Sequence, residues 1–124
     1  MPSKILLIED DPTLRFAVSE FLRSEEFDCR DVSSGQEGME LLSEWEPDLI
    51  ITDLLMPGKD GLQVITEVRE LGRAIPILVM TGGGVTITSS PLLDIASTFG
   101  ANATVLKPFT NSQLLEKSKL LLES

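Results

Sequence analysis

Four short apolar runs in this 124-residue chain each end at a residue that could do chemistry. Residues 4–8 (KILLI) run into Glu9-Asp10-Asp11, and residues 49–52 (LIIT) stop at Asp53. Residues 76–80 (PILVM) lead to Thr81-Gly82, and residues 103–106 (ATVL) to Lys107. Several carboxylates brought together repel one another and raise each other's pKa. A hard divalent cation with oxygen ligands removes that cost, and Mg²⁺ characteristically takes one or two carboxylates plus water and a phosphoryl oxygen. Asp10 and Asp53 are the best direct ligands, with Glu9 acting through a water. Lys107 offers a compact positive charge for an anion beside Asp53, Thr81 a hydroxyl donor and Gly82 an unobstructed backbone N–H. Asp side chains serve as covalent phosphate acceptors. Such transfer depends on positioning and charge neutralisation more than on acid–base groups. The set describes a site that stabilises a phosphoryl group on Asp53. Each piece alone has a plainer reading: paired acids as a helix cap, Lys107-Pro108 as a turn, Asp53 or Thr81-Gly82 as a strand end. Their recurrence at four strand ends is what favours the chemical reading.

Those residues meet only if the runs are strands of one parallel sheet. Short continuous apolar runs suit strands buried on both faces. Between them the apolar residues recur at helical spacing. Asp11 caps and Pro12 opens a first helix over about 12–26, with Leu14, Ala17, Val18, Phe21 and Leu22 inward. Residues 27–32 read as a short strand near an edge. Ser34 and Glu37 form a capping-box pattern for a second helix carrying Met39, Leu41 and Leu42, with Trp45 half-buried at its end. Gly38 inside it costs some helix stability, and Pro47 stops it. Pro57, Gly58 and Gly61 break the pattern after Asp53, so Asp53 is read as opening a loop. Leu62, Val64, Ile65, Val68 and Leu71 give a third helix ending at Gly72. Residues 85–90 read as a loop able weakly to form strand. Pro91 starts a helix with Leu92, Leu93, Ile95, Ala96 and Phe99 as its apolar face, stopped at Gly100. Thr110 or Asn111 caps a last helix with Leu114, Leu115, Leu120, Leu121 and Leu122.

Strand–helix alternation five times over means a parallel sheet covered by helices on both faces, with right-handed crossovers. All C-terminal strand ends then share one edge. Strand two alone lacks a special residue at its end and fits an outer position. The expected architecture is a single α/β domain over residues 1–124, doubly wound, with strand order 2-1-3-4-5.

Composition sets the limits. Twenty acidic against ten basic residues give a net charge of −10, which disfavours direct binding to nucleic acid or to an anionic membrane surface. No apolar run approaches the ~20 residues that cross a bilayer. No secretory signal pattern precedes the first strand, so a cytoplasmic location is expected. The chain has no His, which removes Ser-His hydrolases, His-ligated zinc enzymes and phospho-histidine carriers. Cys29, the single cysteine, reads as a small buried thiol.

The combination of ILLIEDDP, the DLLMPGKDG loop, Thr81-Gly82 and Lys107-Pro108-Phe109 resembles the receiver domain of two-component response regulators, CheY-like proteins with a flavodoxin-like fold. The resemblance covers the whole chain. It implies that Asp53 is the phosphoacceptor and that Mg²⁺ is held by Asp10, Asp53, Glu9 through water and the backbone carbonyl of Leu55. It implies that Thr81 is the switch hydroxyl, Gly82 the small position beside it and Lys107 the essential lysine. It further implies phosphoryl transfer from a phospho-histidine on a sensor histidine kinase or histidine phosphotransfer protein, and slow self-catalysed dephosphorylation without any other enzymatic activity. One position departs: where the family usually has an aromatic switch residue, three before the lysine, this chain has Thr104. The triple glycine 82–84 and polar residues 85–90 also depart from the common pattern. A phosphorylatable signalling module is therefore the expected function. A receiver-like scaffold whose contacts ignore phosphate is the alternative that Thr104 favours. A Mg²⁺ phosphohydrolase would need a second catalytic acid and a lid or cap to admit substrate, and the sequence carries no such insertion.

Overall fold

The computed structural model describes residues 2–54, 56, 58–81 and 99–123. Five parallel strands form one sheet in the order β2-β1-β3-β4-β5. The strands are β1 (Lys4–Ile8), β2 (Asp28–Val32), β3 (Leu49–Asp53), β4 (Ile77–Thr81) and β5 (Ala103–Leu106). The described helices are α1 (Pro12–Ser24), α2 (Gly35–Leu42), α3 (Gly61–Glu70) and α4 (Asn111–Glu123). The doubly wound order expected from the strand-end pattern is the one observed. Residues 91–98 of the helix expected from Pro91, the segment 85–90 and Gly82 lie outside the described residues; Phe99 is helical and Gly100, at φ 119°, follows it in a turn.

Burial follows the strand period of two. Leu6, Ile8, Ile50, Ile77 and Val79 pack with Val64, Ile65 and Val68 of α3 and Leu42 of α2 on one face. Ile5, Leu7, Leu49, Ile51, Leu78 and Met80 pack with Val18 and Leu22 of α1 and Leu114 of α4 on the other. The three central strands are thus buried on both sides, which is why their sequences are continuous apolar runs rather than alternating ones. Cys29 is buried in the second layer, and burial pushes its thiol up to about 12, so it is a packing residue.

Helix ends are fixed by local chemistry. The Asp11 carboxylate accepts from the N–H groups of Thr13 and Leu14, with Pro12 at the first helical position. Ser34 accepts from Glu37 N–H, and Asp60 and Gln63 form a reciprocal capping box at α3. Thr110 and Gln113 exchange bonds in the same way before α4, so Thr110 is the capping residue. Two helices close with the same pair of bonds. In α1, Phe27 N–H reaches Leu22 O and Glu26 N–H reaches Arg23 O; in α3, Arg73 N–H reaches Val68 O and Gly72 N–H reaches Arg69 O. The left-handed residue is Gly72 in one (φ 75°) and Glu26 in the other (φ 70°).

Several sequence expectations are corrected. Helix α1 stops at Ser24, not near Glu26, because Glu26 adopts the left-handed conformation that ends it. Strand β2 starts at Asp28 rather than at residue 27. Asp53 is the last residue of β3 rather than the first of a loop, and Thr81 is the last of β4. Helix α2 ends at Leu42, well before Pro47. Trp45 follows it and is buried, with the Arg30 guanidinium 4.4 Å above its ring. Ala17, Leu71, Phe99 and Leu120 are exposed although their spacing placed them on apolar faces. Leu71 caps α3 and so has left the helical stripe. The expected cost at Gly38 has a packing reason: a Cβ there would meet the Ile8 side chain, so the missing methyl lets α2 lie close on β1.

Candidate functional site: the C-terminal edge of the sheet

Parallel pairing brings the strand ends together. Ile8 of β1 pairs with Thr52 of β3, Asp53 with Met80 of β4, and Thr81 with Leu106 of β5. The residues just past β1 and β5 therefore flank Asp53 from opposite sides. Lys107 is tied back to β4 by its N–H on Thr81 O at 2.8 Å, and the Lys107-Pro108 peptide is cis.

The Lys107 ammonium donates to Asp53 Oδ2 at 2.9 Å and to Glu9 Oε1 at 2.8 Å. Glu9 is fully buried and Asp53 nearly so, at 0% and 7% exposure, while Asp10 beside them faces solvent. The second Glu9 oxygen accepts from Asp11 N–H at 3.0 Å. Glu9 N–H donates to Val32 O of β2, and Glu9 O accepts from Arg15 Nη1 at 2.9 Å. Both carboxylate oxygens and both backbone polar groups of Glu9 are therefore satisfied. This is the condition under which a buried charge is tolerated.

Burial pushes the Glu9 carboxyl above its ordinary range; the bonds from Lys107 and from Asp11 N–H pull it part of the way back, and the neighbouring Asp53 charge pushes it up again. Burial alone would lower the Lys107 amine, but its bonds to Glu9 and Asp53 outweigh this and hold it above 10.5. Lys107 is thus a fixed cation shared by two carboxylates.

Glu9, Asp10 and Asp53 each place a carboxylate oxygen within 4.8 Å of the others. An all-oxygen set with one exposed member fits a small hard divalent cation that keeps part of its water shell. The cluster could hold such an ion. The backbone carbonyl of Leu55, expected to complete the set, lies outside the described residues, as does the N–H of Gly82. Thr81 is buried, and its hydroxyl has no hydrogen-bond partner among the described residues. A buried hydroxyl left without a partner costs stability unless something else takes it up. Thr104 lies on β5, half-buried, and its backbone carbonyl accepts from Lys117 Nζ of α4 at 2.7 Å.

Three supporting residues escape the sequence reading. Gly61 opens α3 with its Cα against the carbonyl of Asp53 and the Cα of Leu54, and its N–H donates to Leu54 O at 2.8 Å; a Cβ there would overlap the Asp53 backbone. The Asp11 backbone amide and the Arg15 guanidinium hold Glu9 in place. A Gly one position past an N-cap Asp was the only visible signal for the first. The others are a main-chain atom and a helix-surface cation, which sequence does not distinguish. Beside the site, Leu14, Ala17, Thr13, Asp11, Lys107 and Phe109 line a largely apolar groove of about 480 Å³.

The response regulator receiver domain model matches residues 5–119, and the chain belongs to this family of two-component signalling domains. The Probable C4-dicarboxylate response regulator DctR of Bacillus subtilis (strain 168) is 36% identical over 121 residues, covering 94% of this chain and 52% of that protein. Transcriptional regulatory protein PdtaR of Mycobacterium tuberculosis is 33% identical, covering 97% of this chain and 57% of its own length. The chain thus spans little more than half the length of these curated relatives. A chain from Chloroflexus aurantiacus J-10-fl superposes over 100% of both lengths with a TM-score of 0.91 at 29% identity. The signal receiver domain of a signal transduction histidine kinase from Syntrophus aciditrophicus gives 0.85 at 28% identity, covering 98% of this chain and 90% of that one. Among the described residues, no helix is long and apolar enough to cross a membrane.

Proposed function

We propose that this receiver domain is a working phosphoacceptor: Asp53 takes a phosphoryl group from a phospho-histidine of a sensor kinase or phosphotransfer protein, and the resulting change at the sheet edge is read by a partner. The observation that carries this reading is the Lys107 ammonium held between Asp53 and Glu9. A scaffold indifferent to phosphate has no use for a buried acid–acid–amine cluster at the end of its sheet.

In the transfer, an Asp53 oxygen forms the new O–P bond as the donor's N–P bond breaks. The electron pair stays on the departing imidazole, which then takes up a proton. Lys107 meets the negative charge gathering on the phosphoryl oxygens, and the Thr81 hydroxyl, without a partner among the described residues, is a donor for one of them. Asp10 and Asp53, with Glu9 through a water and the Leu55 carbonyl, would hold Mg²⁺, and bound Mg²⁺ would supply neutralisation of the crowded oxygens. Gly82 N–H would add a further donor. Dephosphorylation is attack of water on phosphorus, returning inorganic phosphate and the Asp53 carboxylate. No other catalysis is expected. The apolar groove beside Lys107 offers a seat for the donor domain, and the cytoplasm is the compartment in which such donors work.

The test is Asp53→Asn. Wild-type chain should be labelled by acetyl phosphate only with Mg²⁺ present, and the variant should take no label. Labelling that persists in the variant would remove Asp53 as acceptor. A wild-type chain that binds its partner equally with and without beryllium fluoride would favour the scaffold reading.

A further inference from the structure

We propose that Arg15 is a positioning residue for the cation site, acting through the peptide that joins Glu9 to Asp10. This rests on the reading of Glu9, Asp10 and Asp53 as a Mg²⁺ site and extends it to a residue that touches neither the ion nor the phosphoryl group.

Asp10 is the weak point of the donor set. It is exposed, and its side chain makes no hydrogen bond among the described residues. Glu9 and Asp53 are clamped by Lys107; Asp10 is not. What fixes Asp10 is its backbone. The carbonyl of the Glu9–Asp10 peptide accepts from Arg15 Nη1 at 2.9 Å. One residue earlier, Glu9 N–H is pinned to Val32 O of β2 at 3.1 Å. Arg15 itself is held from the other side, its Nε lying 3.4 Å from Asp31 Oδ2. Asp31 is also gripped by Arg23 at 2.8 Å, and Arg23 reaches Cys29 O at 3.0 Å. The chain of contacts therefore runs from the β2 edge through Asp31 and Arg15 to the peptide plane that aims Asp10. The planar guanidinium suits this task because its donors are held in a rigid fork, Nη1 toward the carbonyl and Nε toward the carboxylate, whereas an ammonium is a compact charge on a flexible stem.

Electrostatics and positioning predict opposite signs, which makes the role testable. Arg15 is a positive charge beside a cation site. On Coulomb grounds alone, removing it should tighten Mg²⁺ binding. If Arg15 aims Asp10, removing it should weaken binding, by about tenfold or more as for other supports of metal ligands.

The experiment is a Mg²⁺ titration of the 124-residue chain, followed by the amide shifts of Asp10 and Asp53, for wild type, Arg15→Gln and Arg15→Lys. Thermal melts in chelator report folding separately. Supporting results are about tenfold weaker binding in Arg15→Gln with an unaltered metal-free melt, and an intermediate affinity in Arg15→Lys. Unchanged or tighter binding in Arg15→Gln overturns the proposal. Should Arg15→Gln fail to fold, Arg15→Lys decides: charge is conserved there, so weaker binding reports geometry and unchanged binding overturns. A wild-type chain in which Mg²⁺ moves neither amide would fail the metal reading itself, a result distinct from any difference among the variants.

Discussion

Glu9 and Thr81 are both buried polar residues at the C-terminal edge of the same sheet, and they are furnished in opposite ways. Each Glu9 oxygen has a partner, from Lys107, Asp11 and Arg15, whereas the Thr81 hydroxyl has none among the described residues. The cluster of Glu9, Asp53 and Lys107, drawn from the ends of β1, β3 and β5, is assembled before any ligand arrives. The end of β4 holds one donor in reserve, and β5 carries Thr104 where the family usually places an aromatic ring. Pre-organised charge belongs where the transition state must be met. An unsatisfied group belongs where a second state is to be favoured once its partner appears, since a ligand shifts only equilibria in which its contacts differ. On the proposed function, chemistry and response would be divided between Asp53 and Thr81, on neighbouring strands and one residue apart in register.

Removing Lys107 should break that contrast most severely. Lys107→Met leaves Glu9 and Asp53 facing each other without their cation, and metal-free stability should fall by about 3 kcal/mol in urea titrations. The pH dependence has a definite sign. The folded Lys107 amine sits above its ordinary 10.5, so its contribution is complete below that value and is lost as pH rises through the folded value. The gap between wild type and Lys107→Met should therefore narrow in alkali above about pH 10.5. Gly61→Ala comes next. A Cβ against the Asp53 carbonyl must displace α3 or Asp53, at a cost of about 2 kcal/mol together with slower labelling by acetyl phosphate. Thr81→Val has the smallest effect and the opposite sign. Exchanging a hydroxyl that has no partner among the described residues for a methyl should stabilise the metal-free chain by about 1 kcal/mol. The same change should blunt the spectral response to beryllium fluoride. A loss of stability instead would show that the hydroxyl is already satisfied, and the contrast with Glu9 would collapse.

Much of this was legible in the residue order. Apolar runs that stop abruptly at acids, a hydroxyl or an amine gave the strands, their shared edge and the outer place of β2, because a strand buried on both faces tolerates no polar residue before its end. Asp53 and Lys107 were identifiable for the same reason. Their direct hydrogen bond was not, since it depends on register between elements 54 residues apart. Gly61 looked like a loop breaker because a sequence does not show which carbonyl lies above a missing Cβ. Ala17 and Leu120 fit a helical period and still face outward, because periodicity gives a stripe but not the width of the surface that covers it. Glu26 was read as helix because nothing in its side chain marks a left-handed backbone.

The sheet's two borders carry one more consequence. Strand β2 offers its free edge with Asp28, Arg30 and Asp31 among its five residues, and β5 offers only four residues to a neighbour. Charged or very short borders discourage strand-by-strand growth between molecules. Copies of this chain at high concentration are therefore steered away from fibrous stacking along either border of the sheet.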